Sequence, residues 1–156
     1  MWYNNNKYFW IRFVTTYKRN VDNLSCMQVK TNTKEKFHVT AVAAAALTAD
    51  MAAELSDLLL TYLQNDVKNV ILNLKELHSL DEIAAEKLVK LQQNFYEKNS
   101  SFVICEIQKP VEDFLDSVNL LEVMNTTPTE SEAMDIVQME EIEREMFGPL
   151  SPEGGT

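Results

Sequence analysis

Glycine is nearly missing from this chain. Of 156 residues only Gly148, Gly154 and Gly155 are glycine, and all three lie in the last nine positions. Loops that wrap phosphate need glycine, because a missing Cβ lets the backbone reach positive φ and come close to the ligand. A Walker-type loop and a dinucleotide-binding fingerprint are therefore excluded. Histidine and cysteine are almost as scarce. His38 and His78 are the only histidines, and neither has a serine or cysteine at a motif spacing. Ser79 adjoins His78, but adjacency in sequence is not triad geometry. No His-x-x-x-His, Cys-x-x-Cys or aspartate-rich loop occurs, so no metal and no cofactor is expected. The two cysteines, Cys26 and Cys105, suggest no disulfide framework, and Cys105 inside "SFVICEI" reads as a small buried hydrophobe.

Long apolar runs are absent as well. None approaches the roughly 18–20 residues that span a bilayer, so membrane insertion is not expected. Basic side chains are outnumbered, 14 against 24 acids, for a formal charge of −10. An acidic surface repels phosphate backbones, which disfavours nucleic acid and favours protein partners. What remains is ordinary globular composition, 46% apolar and 24% charged, at a length that suits one domain. These features together suggest a soluble, cytoplasmic protein in a reducing compartment.

Residues 1–26 differ from the rest. Lys7, Arg12, Lys18 and Arg19 stand against Asp22 alone, a net of +3 in an acidic chain. The segment has no long apolar core or cleavage site, so it fits a secretory signal poorly. It reads as an atypical extension: one reading takes Met27 as the native start, and the alternatives are contact with a membrane surface or a partner, or an extra strand or helix. From Gln28 the pattern is regular. "QVKTNT" and "KFHVTAVA" form a predicted hairpin, with Phe37, Val39 and Ala41 on one face. Met51, Leu55, Leu58, Leu59 and Tyr62 give helical spacing over 48–65. "NVILNL" (69–74) and "SFVICEI" (101–107) read as strands covered on both faces. Between them a helix over about 81–98 carries Ala84, Leu88, Leu91 and Phe95 on one side. Pro110 opens a third helix with Val111, Phe114, Leu115 and Val118 inward. A short strand near "LEVMNT" and a last helix from Pro128 to Met146 follow. In that helix Met139, Ile142 and Met146 recur at i, i+3 and i+7 and are expected to pack on the domain, and the acids of "MEEIERE" read as its solvated face. Residues 148–156 form a Pro/Gly-rich tail with the composition of a disordered segment.

Alternating strands and helices call for right-handed crossovers and parallel pairing. The expected fold is a single α/β domain over 27–147, with a mixed four- to five-stranded sheet and about four helices packed mainly on one face. The most informative stretch is "HSLDEIAAEK" (78–87), where strand gives way to helix. Ser79-Leu80-Asp81-Glu82 matches the Ser-x-x-Glu capping box; alternatively Asp81 is the N-cap and Glu82 the first helical residue. Asp81 and Glu82 are poor acid–base partners, since adjacent residues at a helix start point apart. No catalytic residue is indicated.

The order of elements, with "NVILNLKELHSLDEIAAEKLVKL" and "SFVICEIQKPVEDFLDSVNLLEVM", resembles the STAS domain of bacterial anti-sigma-factor antagonists. In that family a hydrophobic-Asp-Ser-Ser-Gly turn opens the second helix, and a partner kinase phosphorylates its first serine. Here Asp81 keeps the aspartate, Glu82 and Ile83 replace the serines, and Ala84 replaces the glycine. Ala45 and Thr48 stand where the turn before the first helix usually has glycine and aspartate. The resemblance implies a non-enzymatic signalling module that regulates transcription by binding a protein. Its partner would be an anti-sigma factor or a serine kinase-like protein, met by Thr48, Ser79, Asp81, Glu82 and Glu86. With no hydroxyl at position 82, regulation by phosphorylation there is not expected. STAS-like chains also serve as small subunits of ABC-type lipid transporters, where the partner is the transporter ATPase. A structural, self-associating module is a third reading.

Overall fold

The computed structural model describes residues 28–148 and the backbone of Tyr8–Phe9. The expected character of the rest of 1–26 and of the tail beyond Gly148 lies outside the described residues. Strands β2 (Gln28–Thr33) and β3 (Phe37–Ala43) form the antiparallel hairpin, and the two-residue β1 (Tyr8–Phe9) pairs antiparallel along the outer edge of β2. From β3 the sheet turns parallel through β5 (Asn69–Asn73), β7 (Phe102–Cys105) and β8 (Thr126–Thr127), in the order β1-β2-β3-β5-β7-β8. Two further short strands, β4 (Ala46–Leu47) and β6 (Ser79–Leu80), pair with each other apart from this sheet. The helices are α1 (Ala49–Leu60), α2 (Glu82–Glu97), α3 (Lys109–Ser117) and α4 (Glu130–Phe147). This is the mixed-sheet α/β domain that the pattern predicts. Three helices lie on one face, and α4 covers the other.

Every residue of β5 is buried: the apolar Val70, Ile71 and Leu72 as the pattern implies, and Asn69 and Asn73 at its ends with their side chains hydrogen-bonded. Alternation sends Val70 and Leu72 to the larger core, under α1, α2 and α3, and sends Ile71 to the smaller one. The larger core takes Met51, Leu55, Leu59 and Tyr62 from α1 and the turn after it, and Ala84, Leu88, Leu91 and Phe95 from α2. The smaller core joins Phe37, Val39, Ile71, Val103 and Cys105 to Ala133 and Val137 of α4. Burial pushes the Cys105 thiol up to about 12, with Glu130 and Glu106 adding to the effect, so it stays a neutral core group.

Asparagine takes over where glycine is scarce. Asn99 (φ 57°) and Asn119 (φ 60°) adopt the left-handed conformation just past the C-caps Lys98 and Val118. Ser100 N donates to Phe95 O and Asn99 N to Tyr96 O; Leu120 N and Asn119 N repeat this with Leu115 O and Asp116 O. Both helices thus end in Schellman motifs, with asparagine, the next most tolerant residue, at the position that glycine usually holds.

One expectation about α4 is overturned. Met139, Ile142, Met146 and Phe147 are 53–75% exposed and do not pack on the domain. The inward side carries Ala133 and Val137, with Met134 and Ile136 half-buried beside them, and then Glu140, Glu141 and Arg144. Arg144 makes this polar face tolerable under the sheet edge. Its guanidinium donates to Glu141 at 2.8 Å and to Ser101 Oγ, and pairs with Glu140 at 3.6 Å. Asn69 at the start of β5 completes the network, donating from Nδ2 to Glu141 and accepting from Ser101 N. The acids expected on the solvated face are thereby split: Glu140 and Glu141 turn inward, while Glu143 and Glu145 stay exposed.

Candidate functional site

The residues singled out in 78–87 meet the start of α1 through β4 and β6. After β5 the chain turns tightly, Leu77 N donating to Leu74 O, and Leu77 sinks into the core. His78 N and Ser79 N then both donate to Ala45 O. Ala46 and Leu47 pair in parallel with Ser79 and Leu80, and Asp81 N donates to Leu47 O at 3.1 Å. Leu47 and Leu80 point into the larger core and anchor the pair. The consequence is geometric: the next residue in each strand, Thr48 or Asp81, is a helix N-cap. The N-termini of α1 and α2 therefore open side by side on one surface.

The capping box does not form. Ser79 lies in β6, two residues before the cap, so its hydroxyl is not placed to serve the first turn of α2. Asp81 is the N-cap by backbone conformation (φ −75°, ψ 150°), yet its carboxylate accepts no hydrogen bond from the helix amides. The β-pairing of Ser79 and Leu80 fixes the chain direction, which local capping propensity cannot outweigh. Thr48 behaves as a true cap, its Oγ1 accepting from Met51 N at 3.3 Å.

Thr48, Ser79, Asp81, Glu82 and Glu86 are all exposed, and this face brings them together. Between them Ile83 is 58% exposed, an apolar side chain in the first turn of α2. Ala84 and Ala85 are fully buried beneath it, so the methyl group at position 84 is accommodated where the family usually has glycine. Asp50 in the first turn of α1 adds an acid. Carboxylates at the positive ends of two helix dipoles are favourably placed. The result is an acidic surface with one apolar centre and two hydroxyls, those of Ser79 and Thr48. The sequence reading missed two parts of it. Ile83 entered only as a replaced serine, and β4 is too short to leave a periodic signal.

Elsewhere the reactive side chains are built into the frame. His38 is buried and stacks on Tyr62 with ring centroids 4.1 Å apart. Its Nε2 lies 2.9 Å from Val67 O, so Nε2 carries the proton, and Nδ1 accepts from Thr33 Oγ1 at 2.9 Å. Desolvation holds its pKa below the usual imidazole value, against the weaker opposing pull of the Val67 carbonyl. Tyr96 is pushed up to about 12, first by burial and then by Glu140. No group of three or more His, Cys, Asp or Glu among the described residues could hold a metal, and no helix among them is long and apolar enough to cross a membrane.

Among solved structures, an anti-sigma factor antagonist from Mycobacterium paratuberculosis superposes with a TM-score of 0.62, at 12% identity, over 72% of this chain and 94% of its own. RsbS from Moorella thermoacetica, in a serine-to-glutamate variant, gives 0.62 at 18% identity over 73% and 97%. The murine anion transporter Slc26a9 gives 0.57 at 12% identity, over 66% of this chain but 18% of its own. No curated protein matches the sequence. The family model of the STAS domain matches residues 29–133, from β2 to the first turn of α4, and the chain belongs to that family.

Proposed function

We propose that this protein is a non-enzymatic interaction module of the anti-sigma-factor antagonist type, working in the cytoplasm, whose docking face is the paired N-termini of α1 and α2. The observation that carries the reading is the β4–β6 pairing, which sets Thr48 and Asp81 side by side with exposed Ile83 between acids. A small apolar centre with a charged rim is the anatomy of a protein-binding surface. Position 82 has a carboxylate and no hydroxyl. Glutamate carries one charge, whereas phosphoserine carries about −1.5 to −2 and three acceptor oxygens. The surface is accordingly fixed in an acidic state and is not switched at that position. An anti-sigma factor or a serine kinase-like protein is the partner that this reading expects.

The test has two arms. A pull-down with the full chain, identified by mass spectrometry, should recover an anti-sigma factor or serine kinase; recovery of a transporter ATPase would replace the regulatory reading with the transport one. Calorimetry with the recovered partner should then show weaker binding for Ile83→Asp and a changed affinity for Glu82→Ser. Equal affinities for all three chains would remove this face from the interaction. Phosphate mapped to Ser79 or Thr48 after incubation with the kinase would show that a switch persists at a neighbouring hydroxyl.

A further inference from the structure

The exposed stripe of α4 is a second surface, distinct from the paired helix N-termini. Met139, Ile142 and Met146 follow i, i+3 and i+7 and point away from the sheet, because Ala133, Val137 and Arg144 take the inward side. They are 61%, 53% and 68% exposed, with Phe147 beside them at 75%. Four large apolar side chains within nine residues form a patch of the kind that marks an interaction site. All four lie beyond residue 133, where the family match ends.

The charges around the stripe select the occupant. Glu132, Asp135 and Glu143 are exposed along it, and the only cation of α4, Arg144, is turned inward onto Glu140 and Glu141. Glu143 and Glu145 also sit in the last turn, at the negative end of the helix dipole, where acids are unfavourable without a neighbouring cation. Lys36 answers Glu145 alone, at 2.6 Å. A second copy would align acids with acids along the seam, and an anionic bilayer would be repelled in the same way. We infer that the outer face of α4 docks a helix of another protein whose apolar side is bordered by lysine or arginine. The mode is helix packing on an amphipathic helix, with flexible methionines adapting to the partner's side chains.

Two synthetic helical peptides test this, sharing one leucine face and differing only in a lysine or a glutamate border. Fluorescence anisotropy with the full chain should show binding of the lysine-bordered peptide alone. The double variant Met139→Gln/Ile142→Gln keeps every charge and should weaken that binding about tenfold or more. Ile83→Gln should leave it unchanged, which separates this surface from the docking face proposed above. Unchanged binding by the double variant would reduce the effect to non-specific attraction and overturn the inference. So would an equal loss with Ile83→Gln. A photo-crosslinking residue at position 142 of the full chain closes the remaining cases. Adducts to the lysine-bordered peptide support the inference, whereas covalent dimers or links to residues 1–26 assign the stripe to a second copy or to the chain's own basic segment and overturn it.

Discussion

Replacing Arg144 with methionine should destabilise the domain by about 2–3 kcal/mol. The Arg144 side chain is 9% exposed, and its guanidinium is the cation that Glu140 and Glu141 share. Breaking a buried ion pair from one side costs about 3–5 kcal/mol, because a charge is left behind without its partner. Here the penalty is smaller. Glu140 and Glu141 are 22% and 27% exposed and can recruit water, and each keeps a protein donor, Tyr96 Oη at 3.2 Å and Asn69 Nδ2 at 2.9 Å. Arg144 Nε, which is buried without a partner, is removed by the same change and offsets part of the loss. Methionine retains the packing of the aliphatic stem. Urea unfolding followed by circular dichroism at neutral pH should show a lower midpoint with an unchanged slope. The melting temperature should fall by about 6–10 °C for a domain of this size. Arg144→Lys should recover less than half of the loss, since an ammonium cannot reach Glu141 and Ser101 with one planar fork. A loss under about 0.5 kcal/mol would refute the reasoning and leave the network a surface ornament of the kind that most exposed ion pairs are.

Two further outcomes are expected. Thr48→Ala should cost about 1 kcal/mol, whereas Asp81→Ala should cost only a few tenths, because Thr48 accepts a first-turn hydrogen bond and Asp81 does not; equal losses in urea unfolding would contradict the two cap geometries. His38 should make stability depend on pH. Its folded pKa lies below 6.5, so the unfolded chain binds the proton more readily, and the stability it contributes is complete above that value and lost as pH falls toward the folded pKa. Unfolding midpoints compared between about pH 7.5 and pH 5.5 should decline, and His38→Gln should flatten the slope in that window.

Periodicity alone located most of the elements. The two buried strands, the faces of α1 and α2 and the hairpin all follow from side-chain spacing, which is a local property of the chain. Boundaries moved by a residue or two: the first helix passes into a 3-10 turn at Thr61–Gln64, and the third begins at Lys109, one residue before Pro110. The site was legible as residues but not as a surface. Thr48, Ser79, Asp81, Glu82 and Glu86 were identified from "HSLDEIAAEK" and from the family's pattern, yet nothing in either segment reveals that Ala46 and Leu47 pair with Ser79 and Leu80. That pairing joins chain segments 33 residues apart.

Sequence by itself determined the class of this protein. An almost glycine-free, acidic, strand-helix alternating chain can fold as an α/β domain and cannot cradle phosphate. Tertiary structure decided which polar residues share a face and which way α4 is turned. The capping box was outweighed because β-pairing commits Ser79 to a strand before the helix can use its hydroxyl. The apolar stripe of α4 faces outward because Ala133 and Val137, with Met134 and Ile136 packed beside them, already meet Ile71 and Val103 of the smaller core, and Arg144 holds Glu140 and Glu141 on the same side. A helical stripe in a sequence says that something covers it; only packing says whether the cover is the protein itself.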